Sequence, residues 1–467
     1  MALLHELNAS ALAPRYADGS LSPVDVVDAV IDHIARWEPH IAALWRHEPA
    51  EARAQAAASQ ARWRAGQALG PLDGVPVTLK ENIATRGMPV PLGCAATELV
   101  PAAEDAPPAA RLREAGAVLL GKTTMPDWGM LSSGLSSFHR LSRNPWNPAL
   151  NPGGSSAGAG AAAAAGYGPI HLGTDIGGSI RLPAGWCGVV GFKPSLGRVP
   201  IKPPYAGRVA GPMTRSVADA ALAMGVLSRP DARDTMSLPA APIDWASVVA
   251  EPAPDARGLR LGLWLDAGWG DALQPAVRAA VEAAARAFER AGAEIVPVAP
   301  FTTRAMIDGL DRFWRMRSWL DYRALPPERQ ALVLPYIRHW IARGEHLGGE
   351  AVFTGYSQMG AMREAAVAAM QGLHAMLSPV SPGVAFPAGQ ASPRNDPEQP
   401  FEHIAFTVPF NFSEQPAIAV PAAVSPDGLP IGLQIAGQRH DDLGVLRVAR
   451  LWERLRPPLP DWPQPPA

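Results

Sequence analysis

Cysteine is nearly missing. The 467-residue chain has two, Cys94 and Cys187, too far apart for a CxxC pair and too few for a disulfide framework or a thiolate metal site. They read as buried thiols in a reducing compartment. Lysine is almost as scarce: Lys80, Lys122, Lys193 and Lys202 are the only ones, although Lys and Arg together number 41. A GC-rich genome favours arginine codons and accounts for the bias. A lysine that remains can also do what arginine cannot, which is lose a proton near neutral pH. An excess of one charge is lacking too. The formal net charge is −2, which supplies no strong field for nucleic acid or an anionic membrane and leaves small molecules as the expected partners. No uninterrupted apolar run reaches the roughly 18 residues of a membrane span. The first residues, MALLHELNAS, lack a basic n-region and bring in Glu6 early, so no signal peptide is expected and the cytoplasm is the default location. No metal-type cluster is present, and neither a metal nor another cofactor is expected.

What is there is a globular mixture, 48% hydrophobic and 18% charged. Ser22-Pro23-Val24-Asp25 opens a helix with a serine cap and proline in the first turn. Residues 71–82, PLDGVPVTLKEN, read as a turn and a short strand ending at Lys80. Residues 109–122, AARLREAGAVLLGK, read as a helix end, a Gly116 turn and a buried strand, and the phrase recurs at 284–298 after a strand at 259–265. Alternating strands and helices predict an α/β fold: a large mixed, mostly parallel sheet covered by helices on both faces. Residues 303–376 read as mostly helical, and the proline-rich tail 456–467 as loosely ordered. Without a repeat or long linker, residues 1–467 are expected to form one domain.

The centre differs in kind. NPGGSSAGAGAAAAAG (151–166) and HLGTDIGGSIRLPAGWCGVVGFKPS (171–195) each place a serine after a glycine pair, Ser155 and Ser179. Two familiar motifs lie nearby and fail on context. Residues 116–123 fit GxxxxGK[ST], but the strand-like AVLL lies between the glycines, where a phosphate loop needs flexible backbone. Gly154-Ser155-Ser156-Ala157-Gly158 fits GxSxG, but the preceding RNPWNPALNP holds three prolines and cannot be the central strand that a nucleophile elbow follows. A Ser–His–Asp esterase would still have His374, His403 and His440 to draw on.

Lys80, Ser155 and Ser179 together make a working set. A serine hydroxyl needs a base, and a buried lysine can be neutral enough to be one. A second serine can shuttle the proton. Ile176-Gly177-Gly178-Ser179 offers consecutive main-chain N–H groups for an oxyanion.

These residues resemble the amidase signature family over about residues 71–228. GVPVTLKEN resembles its catalytic-lysine segment, NPGGSSAG the stretch whose bridging serine follows a cis peptide bond, and GTDIGGSIRLPAGWCGVVGFKPS the nucleophile's stretch. GPMTRSVADAA (211–221) and LPIGLQIAG (429–437) also look like family phrases. The resemblance implies a serine amidohydrolase with Lys80 as base, Ser155 as bridge (Ser156 beside it) and Ser179 as nucleophile. It further implies that Thr174, Asp175 and Arg181 orient the loop and the lysine; a purely structural Asp175–Arg181 ion pair is the alternative. Glu81, Ala157, Ala159 and Glu414 depart from the family's usual residues. The A-type component of a glutamine-dependent tRNA amidotransferase shares the family core and is a second reading, although the tyrosine-rich segment expected of it is not found at 312–345. A catalytically dead binding protein is disfavoured by the filled triad. The apolar, aromatic segments 125–139 and 384–389 are the expected pocket, pointing to an aryl or alkyl amide, with esters, anilides and carbamates as further candidates. A homodimer stays open.

Overall fold

The computed structural model describes residues 3–250 and 255–466. Eleven strands form one sheet: β1 (Leu44–His47), β2 (Pro76–Lys80), β3 (Val118–Thr123), β4 (Ile170–Asp175), β5 (Val190–Lys193), β6 (Val209–Thr214), β7 (Arg260–Leu263), β8 (Glu294–Pro297), β9 (Ala375–Pro379), β10 (Ala417–Val424) and β11 (Pro430–Gly437). Their order is β1-β3-β2-β4-β6-β5-β10-β11-β9-β7-β8.

The large mixed sheet is as expected, but its parallel majority is not. Four pairings are parallel, β2 with β3 and β4, β7 with β8 and β9. Six are antiparallel. A parallel pair needs a crossover, usually a helix. The two helix–glycine–strand phrases supply one each: helix Pro107–Glu114 leads through Gly116 (φ 76°) into β3, and helix Pro275–Arg290 through Gly292 (φ 108°) into β8. In the middle of the sheet no such phrase joins one strand to its neighbour. Residues 425–429 join β10 to β11 in a tight turn, with the Leu429 carbonyl accepting from Ser425 N–H at 2.7 Å, and such a link forces antiparallel pairing.

Helices cover both faces, and strand periodicity sorts the side chains between them. Ile418 and Val420 of β10 enter a core with Met224 and Trp452, whereas Ala419 between them enters one with Leu182 and Trp186. On β2, Val77 and Leu79 are buried in the first core. Thr78 and Lys80 therefore point to the opposite face.

Ser22 caps helix Pro23–Ile41 by accepting from Val24 N–H at 3.0 Å, and Ser216 caps helix Val217–Leu227 by accepting from Asp219 N–H at 3.2 Å. The predicted helical region holds helices Arg304–Arg323, Pro327–Gln330, Pro335–Ala342 and Gly349–Ala369. The tail is better held than its composition implied. Residues 456–466 form no helix or strand, yet Trp462 lies against the Arg215 guanidinium at 4.3 Å and the Trp146 ring at 6.4 Å, a cation–π and aromatic dock. Among the described residues no helix is long and apolar enough to cross a membrane.

Candidate active site

Strand β2 delivers Lys80 to the face shared by Thr78, and β4 runs beside it with Leu79 opposite Leu172. One residue on, Gly173 has no side chain, and a Cβ there would come within 2.8 Å of Ser156 Oγ. The gap lets the Ser155–Ser156 turn settle over the sheet. Lys80 Nζ donates to Ser155 Oγ at 2.8 Å and to Ser156 Oγ at 3.1 Å. Ser156 Oγ donates to the Thr174 carbonyl at 3.1 Å and accepts from Thr174 N–H at 3.2 Å, pinning the lysine's second partner to β4. Thr174 Oγ1 in turn accepts from Asn82 Nδ2 at 3.0 Å. The Gly154–Ser155 peptide bond is cis. Lys80 is fully buried, and burial, then the nearby Arg208 guanidinium, lowers its pKa well below the ordinary lysine value against the opposing pull of Asp175 and Glu81. Burial that favours the neutral amine, together with its bond to a hydroxyl, suits Lys80 to accept that hydroxyl's proton.

Ser179 joins this centre through its backbone: its carbonyl accepts from Ser156 N–H at 3.2 Å. Its half-buried side chain lines a cleft together with Trp128–Ser132, Ile176, Gly177, Trp314, Arg317, Phe401 and Ile404. A direct Ser155–Ser179 hydroxyl bond is not among the hydrogen bonds of the described residues.

The expected oxyanion donors need one correction. Gly178 N–H is already used, donating to Asp175 Oδ1 at 2.7 Å. Gly178 instead serves the turn: its φ of 128° suits glycine, and a Cβ would meet Thr407 Oγ1 at 2.5 Å. The N–H groups of Ile176, Gly177 and Ser179 donate to nothing among the described residues and stand at the rim of the cleft.

Asp175 and Arg181 form a fully buried ion pair, with Arg181 Nη2 to Asp175 Oδ1 at 3.0 Å and Nε to Oδ2 at 3.0 Å. Burial alone would raise the Asp175 pKa; the Arg181 charge and hydrogen bonds, Lys193 and Asn411 overcome it and hold the carboxyl well below the usual range. Arg181 also donates to the Thr407 carbonyl at 2.8 Å, Gln434 Oε1 at 2.7 Å and Asn411 Oδ1 at 2.7 Å. The pair thus ties the Ser179 loop to β11 and to residues 404–412. It touches neither Lys80 nor a hydroxyl of the triad, so loop fixation is the role its contacts support. Thr407, Asn411 and Gln434 were not singled out in the sequence. Gln434 in LPIGLQIAG and Asn411 in FNFSEQP carried the only signal, as polar residues inside apolar phrases.

The pocket expectation holds for one segment only. Residues 128–132 line the cleft. Residues 384–389 instead brace the serine turn from behind: the Phe386 carbonyl accepts from Asn151 N–H at 2.7 Å, and the Ala388 carbonyl from Asn151 Nδ2 at 3.0 Å. Helix Arg304–Arg323 takes their place as the second wall. Ala157 and Ala159 are fully buried in the serine helix Ala157–Ala165, where a small side chain fits. Glu414 has φ 66°, which explains why glycine suits that position.

The motifs rejected on context are also placed. β3 runs between Gly116 and Thr123, and Lys122 Nζ is buried against Thr85 Oγ1 at 2.7 Å and the Ile83 carbonyl. Ser155 is bonded to a lysine. His403 packs on Trp186, with its pKa lowered to about 3 by burial, and His374 Nδ1 accepts from Arg260 N–H. Among the described residues, no group of three or more His, Cys, Asp or Glu could hold a metal.

The Amidase family model matches residues 25–446. The chain belongs to the amidase signature family. Among curated relatives of this amidase-family chain, the A-type component of the glutamyl-tRNA(Gln) amidotransferase of Chloroflexus aggregans is 34% identical over 99% of this chain and 98% of its own length. An acylamidase of Rhodococcus erythropolis is also 34% identical, over 97% and 96%. The solved structure of a bacterial aryl acylamidase of the same family superposes with a TM-score of 0.88 at 29% identity, covering 97% of both chains. The chain is thus an enzyme of a family that acts on carbon–nitrogen amide bonds.

Proposed function

We propose that this enzyme hydrolyses a small amide with an apolar or aryl body through an acyl-Ser179 intermediate. The observation that carries the reading is the 2.8 Å bond from buried Lys80 Nζ to Ser155 Oγ, beside a cleft lined by Ser179. Neutral Lys80 takes the Ser155 proton as Ser155 takes that of Ser179. The Ser179 oxygen attacks the carbonyl carbon, and the N–H groups of Ile176, Gly177 and Ser179 receive the oxyanion. Collapse breaks the C–N bond, with the proton returning through Ser155 to the departing amine. Water then cleaves the acyl ester by the same route. No metal or other cofactor takes part. Trp128, Met130, Trp314, Phe401 and Ile404 give the cleft its apolar, aromatic character, which supports anilides or alkyl amides as substrates. One domain working in the cytoplasm fits this role.

The test is a panel of amides, anilides, carbamates and esters against wild type and Ser179→Ala, with a fluorophosphonate probe. Labelling confined to Ser179 and amide turnover lost in Ser179→Ala are expected; labelling at Ser155 would sink the scheme. The second reading, the A-type component of a tRNA amidotransferase, is favoured by the near full-length similarity to the Chloroflexus aggregans protein. Glutamine hydrolysis that appears only when partner proteins are added, and no anilide turnover, would decide for it.

A further inference from the structure

The cleft has one feature that an apolar amide does not use. Helix Arg304–Arg323 presents Trp314 and Arg317, three residues apart and so on one side of the helix, to the same cleft as Ser179. Two other arginines of that helix are paired with acids, Arg304 with Glu402 at 2.6 Å and Arg315 with Asp311 at 2.8 Å. Arg317 belongs to no ion pair among the described residues, and Asp321, one turn along, does not reach it. Its Nε is buried without a hydrogen-bond partner, and its Nη2 meets the Met130 sulfur at 3.9 Å. The Tyr205 ring lies 4.9 Å beneath the guanidinium carbon. That cation–π contact holds the guanidinium without neutralising it.

A guanidinium keeps its charge under all ordinary conditions. Lining an apolar cleft with Nε unsatisfied and no carboxylate paired to it among the described residues, it is costly unless an anion joins it. A second cation deepens the imbalance. Burial, then the charge of Arg317, brings the pKa of Arg208 down to about 10, and Arg208 in turn depresses Lys80. A planar fork of this kind matches a carboxylate, which can accept two parallel N–H bonds.

We propose that Arg317 is an anion subsite of the cleft, and that the substrate is an amide whose apolar or aryl body carries a carboxylate away from the scissile bond. The claim about substrate rests on the amidase reading; the subsite itself does not.

Two measurements separate them. In the first, kcat/KM is compared for matched anilides that differ in charge: succinanilate against butyranilide for a carboxylate on the acyl side, and 4-acetamidobenzoate against 4-methylacetanilide for one on the amine side. Wild type is expected to prefer the carboxylated member of at least one pair by on the order of 10- to 100-fold, the range of a charged hydrogen-bonded pair. In Arg317→Gln that ratio falls towards one. If Arg317→Gln does not fold, Arg317→Lys is read in its place, with the ratio cut severalfold because the ammonium lacks the fork. No preference in wild type, or one that survives the substitution, overturns the proposal. The second measurement is calorimetric binding of 4-phenylbutyrate and 4-phenylbutanol to Ser179→Ala, with and without Arg317→Gln. The carboxylate is expected to bind at least ~10-fold more tightly than the alcohol, and only when Arg317 is present. Equal binding of the two, or none of the carboxylate, overturns the subsite. Carboxylate binding through Arg317 with none of the four anilides hydrolysed would overturn the amidase reading and leave the subsite standing.

Discussion

The two walls of the cleft are built on opposite terms. The signature wall, residues 151–195 with Lys80 of β2 beneath them, is almost wholly buried, and most of its charged and hydroxyl groups are paired: Lys80 with Ser155 and Ser156, Ser156 with Thr174, Asp175 with Arg181. The helical wall leaves Arg317 without an ion-pair partner and, nearby in its helices, exposes Leu320, Phe353 and Tyr356. The difference teaches where each property resides. Chemistry requires a geometry that does not move, so Lys80, its two serines and the loop-fixing ion pair sit among fixed partners, while the N–H groups of Ile176, Gly177 and Ser179 are left open. Selectivity requires surface that only a ligand completes, so it sits where partners are missing.

The sharpest break of that comparison is on the signature wall. Ser179→Ala is expected to lower amide turnover by ~10⁴-fold or more while the thermal melting midpoint stays near wild type, since no buried apolar group is removed. Steady-state kinetics and a melting curve check both halves. A retained turnover would move the nucleophile elsewhere.

Lys80→Arg comes next. Arginine keeps the charge but cannot give up a proton, so it should be as damaging as Lys80→Ala, with losses of at least ~100-fold. In the proposed scheme the active form of Lys80 is the neutral amine, and burial depresses its pKa. In wild type kcat/KM should therefore rise with pH through an apparent pKa below the ~10.4 of a free lysine and level off above it. A profile that falls as pH rises through that range contradicts a neutral-lysine base.

Asp175→Asn tests whether the ion pair is structural. It leaves Arg181 buried with its countercharge removed, and such breakage costs about 3–5 kcal/mol. Chemical denaturation should show that loss, with the Ser179 loop as the first region to gain hydrogen exchange. Stability near wild type together with lost activity would give Asp175 a part in the chemistry instead.

On the helical wall, Trp314→Ala should act through binding. KM for an aryl amide should rise about 10-fold, with kcat changed less, as expected for loss of an apolar contact made equally in ground and transition states. The smallest effect is expected at Glu414. Glu414→Gly relieves a left-handed backbone but removes contacts with Arg363, at 2.7 Å, and Arg439. Those effects oppose each other, and a change in unfolding free energy within about 1 kcal/mol is expected.

Much of this wall-by-wall division could be read along the chain, and its limits follow from range. Strand β2 ends at Lys80 as its apolar run implied, and both helix–glycine–strand phrases are parallel crossovers. Extending those two phrases to a mostly parallel sheet failed because no such phrase joins neighbouring central strands: β10 and β11 are joined by the tight turn 425–429, and β4 with β6, β6 with β5 and β5 with β10 pair antiparallel. The 384–389 segment was misplaced for a related reason. Its aromatic and small residues look alike whether they line a pocket or brace a turn, and only the Asn151 hydrogen bonds distinguish the two.

The sequence by itself determined the amidase family, the candidate set Lys80, Ser155 and Ser179, and the glycines that let backbone crowd around them, because these depend on residue type and local order. Only the tertiary structure decided which N–H groups remain free for an oxyanion, what surrounds the Asp175–Arg181 pair, and that Arg317 faces Ser179's cleft without an acid. Those facts concern partners more than 200 residues apart for Arg181 with Asn411 and Gln434. No local pattern encodes them, because a hydrogen bond closes on whatever the fold brings within about 3 Å, not on what lies next in the chain.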